Sequence, residues 1–108
     1  MTCLKGRGMM KSIVTKHTNL CLICNSPVND THHLVMGNSR RKLADEDGLV
    51  VPLCRLCHDE IHKKSYVAAE FSRICGQLAY EKHLIATEGV TEDEARDRFR
   101  QRYGKSFI

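Results

Sequence analysis

The chain has 108 residues, with 17 Lys and Arg against 13 Asp and Glu and a formal charge of +4. That length allows one domain with a modest core, and three Tyr, three Phe and no Trp are a sparse aromatic supply for it. The mild basic bias permits nucleic-acid binding without establishing it. No apolar run is long enough for a bilayer span or a secretory leader, so no membrane partner is expected and the expected compartment is a reducing cytoplasm.

Residues 1–17 carry Lys5, Arg7, Lys11 and Lys16 with no acid, together with Gly6 and Gly8, and read as a basic arm or edge strand. Cys21 to Cys24 opens a knuckle, which Asn25-Ser26-Pro27 turns. Thr31 to Met36 reads as a short strand and Leu49 to Leu53 as a second, paired as a hairpin or ribbon across a charged loop, 37–48. Helical patterning starts after Cys57, with Asp59 and Glu60 in the first turn. Ser65 is placed to cap a longer helix reaching about Ala86, with Val67, Phe71, Ile74, Leu78 and Ile85 spaced for one apolar face. Thr91 and Glu94 form a capping box for a last helix that packs Phe99 and Tyr103 and ends at Gly104.

Four of the six cysteines stand as two Cys-x-x-Cys pairs, Cys21/Cys24 and Cys54/Cys57, with 29 residues between them. In a reducing compartment two such pairs read as four thiolates for one structural Zn²⁺ rather than as a disulfide framework. One redox pair would not explain the second. Cys75 falls on the apolar helix face as a small buried hydrophobe.

Four of the six histidines then stand as two close pairs, His32-His33 and His58/His62. His58 and His62 are four apart, one helical turn of roughly 5 Å, on one face. That spacing chelates an ion from a helix, and the neighbouring knuckle fixes where the helix begins. His32 and His33 sit on the strand between the knuckles and point to opposite sides. One can face an ion while the other faces a reacting group. Three neutral imidazoles leave a divalent ion its charge and open positions, and a fourth with a pKa near neutrality takes a proton from water. Phosphodiester hydrolysis needs both parts. Arg40, Arg41 and Lys42 are the cations placed to hold a nucleic-acid backbone, although alone the cluster reads as solvated surface.

The segment Cys21 to His62 resembles the HNH nucleases, in the subgroup with paired Cys-x-x-Cys knuckles around a ββα-metal core. His32-His33-Leu34, the loop Gly37 to Lys42, and the run Gly48 to His58 are similar to small phage and prophage members, as is the ending Arg102 to Phe107. The resemblance implies an α+β, zinc-stabilised, treble-clef-like ββα-metal core with additional C-terminal helices. The divisions are a basic arm 1–17, a core 18–64 and a helical extension 65–108. It implies a DNA endonuclease encoded by a phage or prophage and working in a bacterial host's cytoplasm. His33 would be the general base and His32, His58 and His62 the ligands of one catalytic ion (Mg²⁺, Mn²⁺, Ni²⁺ or Zn²⁺), with products ending in 5′-phosphate and 3′-hydroxyl. The family's middle Asn has no counterpart in Asp47-Gly48-Leu49-Val50, which leaves Asn38 or Asp47 to brace the base. The residues alone also admit a non-catalytic zinc module that binds DNA or a protein. The C-terminal helices are suited to a homodimer face or a phage-encoded protein partner.

Overall fold

Val50–Leu53 is buried along its whole length, so a strand this short has to be covered on both faces. In the computed structural model, which describes residues 11–37, 39–63 and 66–108, it is β2 and pairs antiparallel with β1, Asp30–His33. His32 stands opposite Val51 and His33 opposite Val50. Among the described residues four helices complete an α+β domain: α1 Arg40–Asp47, α2 Arg55–Lys63, α3 Tyr66–Glu88 and α4 Glu92–Tyr103. No helix among the described residues is long and apolar enough to cross a membrane.

Two apolar clusters hold these elements. One joins Cys21, Leu34, Val51, Leu53 and Cys54, so the knuckles are part of the core. The other joins Val35, Ala44, Leu49, Phe99 and Tyr103, with Phe99 and Tyr103 stacked at 4.5 Å between ring centroids. Leu34 and Val35 are consecutive and point into different clusters. They lie past the end of β1, so the strand stops at His33, three residues before the expected limit at Met36. Residues 12–15 are tied to the core edge: Ser12 Oγ donates to the Val50 carbonyl at 2.7 Å and Ile13 N to the Gly48 carbonyl at 2.9 Å.

The charged stretch 37–48 is no loop. Its residues 40–47 form α1, which buries Ala44 and stops at Gly48, whose φ of 73° and ψ of 23° make a left-handed cap. Its apolar residues are buried Ala44 and half-buried Leu43, too few to register as an apolar period among six charged neighbours.

The face of α3 also differs from expectation. Val67, Phe71 and Leu78 are exposed, while Ser72, Gly76, Gln77, Glu81 and Leu84 are buried. Packing against Leu34 and Val35 demands a small residue, because a Cβ on Gly76 would lie 2.7 Å from Val35 Cγ2. The polar members are partnered: Gln77 Nε2 donates to Glu81 at 2.7 Å, and Arg96 clasps Glu81 with two bonds. Burial of satisfied polar groups overrides the apolar periodicity here. Cys75 is half-buried rather than buried. Ser65, the expected cap, lies outside the described residues. The Thr91–Glu94 capping box is formed as expected, with both reciprocal bonds present.

Candidate metal centre

The sulfur site is built by two tight turns. Asn25 adopts a φ of 65°, and its N–H donates to the Cys21 carbonyl at 2.9 Å, curling the first knuckle. Cys57 N–H points at Cys54 Sγ at 3.5 Å in the second, at the start of α2. Leu22 N–H donates to the Pro52 carbonyl at 2.9 Å, which brings the two turns together. The four Sγ atoms lie within 4.8 Å of one another, and Cys24 and Cys54 are 3.6 Å apart. Thiolates 2.3 Å from a tetrahedral Zn²⁺ stand about 3.8 Å apart, so the four sulfurs fit that ion. Burial pushes the Cys21 thiol up, but hydrogen bonds from the backbone of Cys54, Cys24 and Ile23 outweigh it and bring it to about 6. The Cys54 side chain, then burial, pushes Cys57 up to about 12. Four packed sulfurs cannot all ionise without a cation among them, which is what a bound Zn²⁺ provides.

One turn further along α2 is the histidine site. His32, His58 and His62 each offer a nitrogen within 4.8 Å of the others'. Ring centroids are 5.1 Å apart for His32–His58, 5.4 Å for His32–His62 and 4.7 Å for His58–His62. The Nε2 atoms of His58 and His62 are 3.1 Å apart. Two nitrogens at 2.0–2.1 Å from one tetrahedral ion would be separated by about 3.3 Å. The buried His32 Nδ1 has no hydrogen-bond partner among the described residues, which leaves its lone pair available to an ion. Burial first, then the neighbouring imidazoles, depresses His32 to about 3, so the ring is neutral. Burial and His58 hold His62 below the ordinary imidazole value.

Carboxylates steer two of the rings. Asp30, on β1, accepts from His58 Nδ1 at 3.0 Å and from Arg55 at 2.9 and 3.1 Å. Arg55 holds Asp30 well below the usual carboxylate range, with burial opposing and His58 assisting. A carboxylate only accepts, so His58 Nδ1 carries the proton and Nε2 is left bare toward His62. Asp45, on α1, takes His33 Nε2 at 2.8 Å. Neither partner stood out in the sequence. Asp30 is a lone acid at a strand start, and Asp45 sits in a charged stretch without an apolar period.

A cleft of about 400 Å³ opens beside these rings, lined by Thr31, His32, His33, Gly37, Arg41 and His58, with Met36 and His62 completing the wall. Of the three expected backbone-binding cations, Arg41 lines the cleft and Lys42 is exposed on α1. Arg40 turns away: its Nε donates to the Tyr103 carbonyl at 3.2 Å, and its guanidinium lies 5.3 Å from the Phe107 ring centre. Asn38 lies outside the described residues. Asp47 bonds Arg102 and Tyr103, both at 2.6 Å, and braces α1 against α4.

The family model described as "Protein of unknown function (DUF968)" matches residues 11–88, most of the chain. The chain belongs to the DUF968 family. The DUF968 span contains both knuckles, all four cleft histidines and α3, while α4 lies beyond it. No curated protein and no solved structure matches the chain.

Proposed function

We propose that this DUF968 protein is a metal-dependent DNA endonuclease of the HNH type. One observation carries the reading: three imidazoles from β1 and α2 converge beside a cleft, one with an orphaned buried nitrogen, and a fourth histidine in the same cleft is held by a carboxylate. The β1–β2 hairpin running into α2 follows the ββα order of such nucleases, with the knuckles at its base and α1 inserted between the strands. His32, His58 and His62 are the residues that would hold the ion. A divalent ion bound there supplies Lewis-acid stabilisation of charge at the leaving oxygen of a phosphodiester.

The chain's own groups do the rest. Asp45 accepts from His33 Nε2, which leaves His33 Nδ1 bare to take a proton from an attacking water. His33 is His-adjacent to the ligand His32 on one strand, so base and ion are set by the same backbone. Arg41 faces the cleft and binds a phosphate of the substrate, and Lys42 extends that positive edge along α1. Arg40 serves packing instead.

Nicking of supercoiled plasmid in Mn²⁺ or Mg²⁺ tests the reading, with the wild type set beside His33→Ala. Cleavage by the wild type and its loss in the variant, at unchanged zinc content, is the expected outcome. Wild-type rates in the variant remove His33 from the mechanism. No cleavage by either leaves a zinc module that only binds.

A further inference from the structure

Ser72, on α3, is forty residues from His32, yet its Oγ lies 2.9 Å from His32 Nε2. The same hydroxyl donates to the Leu34 carbonyl at 2.8 Å. Ser72 is 6% exposed and His32 1%, so water does not compete for either bond. A serine hydroxyl has one proton to give. Once that proton is committed to the Leu34 carbonyl, Oγ can only accept from His32. The proton of the neutral imidazole therefore sits on Nε2, and Nδ1, the atom with no partner, carries a bare lone pair.

We propose that Ser72 is a positioning residue of the metal centre. It fixes the tautomer and the ring angle of His32 so that Nδ1 is the ligand atom. This rests on the reading of His32, His58 and His62 as a metal site. The consequence goes beyond that reading, because α3 lies outside the hairpin and α2 that supply the ligands. The long helix is then part of the site rather than an appendage. Its burial of Ser72 and Gly76 in place of Phe71 and Leu78 follows: Gly76 lets α3 approach Leu34 and Val35, and that approach brings the Ser72 hydroxyl to the ring. Asp30 does the same for His58 from β1, so the two rings are oriented by different elements.

The test uses the full zinc-loaded chain and Ni²⁺ as the probe, an ion that imidazole suits. Isothermal titration gives the affinity, zinc content is measured before and after, and two-bond ¹H–¹⁵N spectra of the nickel-free protein report which His32 nitrogen is protonated. Ser72→Ala is expected to bind Ni²⁺ roughly 10- to 100-fold more weakly, to lose the fixed Nε2–H tautomer and to keep its zinc. Ser72→Thr, which retains the hydroxyl, is expected to recover the tautomer and most of the affinity. Wild-type affinity and an unchanged tautomer in folded Ser72→Ala overturn the role of Ser72 while leaving the metal site standing. Absence of Ni²⁺ binding by the wild type overturns the metal site and this inference with it.

Discussion

Asp45 Oδ1 stands 2.8 Å from Nε2 of His33, joining α1 to β1 across twelve residues of sequence. His33 is nearly covered, with a side chain 13% exposed, while Asp45 is 60% exposed. A carboxylate in that position orients the ring without having to be buried itself. Asp45→Ala is expected to lower kcat about 10- to 100-fold with KM nearly unchanged, since the ring loses its orientation but no substrate contact is removed. His33→Ala removes the proposed base and is expected to cost roughly 10²–10⁴-fold. Asp45→Glu, which keeps the acceptor, should recover part of the rate. Plasmid-nicking kinetics on the three variants check the order. A gain of KM with kcat unchanged in Asp45→Ala would place Asp45 in substrate binding instead.

Neighbouring arginines on α1 are expected to behave differently. Arg41 lines the cleft and Arg40 is bonded to α4. Arg41→Ala should weaken DNA binding and reduce the slope of log K against log salt by about 0.9, the share of one phosphate contact. Arg40→Ala should leave that slope alone and lower stability by about 1 kcal/mol, the typical net contribution of a lost hydrogen bond. Salt-dependent binding of a duplex and urea unfolding separate the two.

Gly76→Ala tests the close approach of α3 to the hairpin. Alanine favours a helix over glycine by about 1 kcal/mol. Against this, the new Cβ would lie 2.7 Å from Val35 Cγ2 and 3.0 Å from Leu34 Cβ. Val35 is fully buried and has no room to yield. Overpacking of about 1–3 kcal/mol is expected to win, with a fall in Tm measurable by calorimetry.

Alkaline pH should act through Tyr103. Burial first, then Asp47, raises its phenol far above the ordinary tyrosine value. A group whose folded pKa is raised contributes stability that is complete below its unfolded value and is lost as pH rises through the folded one. Stability is therefore expected to hold up to about pH 10 and to fall beyond it. Tyr103→Phe keeps the stack on Phe99 and gives up the Asp47 bond. The variant should be less stable at neutral pH and show a shallower alkaline decline in urea titrations between pH 8 and 11.

Removing the sulfur site should be far more damaging. Cys21 and Cys54 belong to an apolar cluster as well as to the ligand set. Structural Zn²⁺ in small domains contributes on the order of 10–16 kcal/mol, comparable with the whole stability of a domain. Cys54→Ala is expected to lose zinc and helicity together, measured by metal analysis and circular dichroism.

The convergence of the four cysteines and of the three histidines is legible in the sequence because such groups declare themselves by type and spacing. Cys-x-x-Cys fixes a turn, and His-x-x-x-His fixes a helical face. The capping box at Thr91 was legible for the same reason, being a local bond pattern. What stayed hidden depends on contacts between distant segments. Asp45 and Asp30 look like ordinary surface acids until α1 and β1 are placed beside the rings. Ser72 interrupts an apolar pattern that points the other way, toward Val67 and Phe71, and its inward placement becomes intelligible only with its bonds to His32 and the Leu34 carbonyl. Arg40 is chemically equal to Arg41, and one residue along a helix turns it from the cleft to α4.

The most direct measurement is anomalous diffraction from crystals of the zinc-loaded protein soaked in Mn²⁺. The expected result is a zinc peak among Cys21, Cys24, Cys54 and Cys57 and a manganese peak among His32, His58 and His62, with His32 engaged through Nδ1. A cleft without a manganese peak, or an ion held by other side chains, would contradict the nuclease reading.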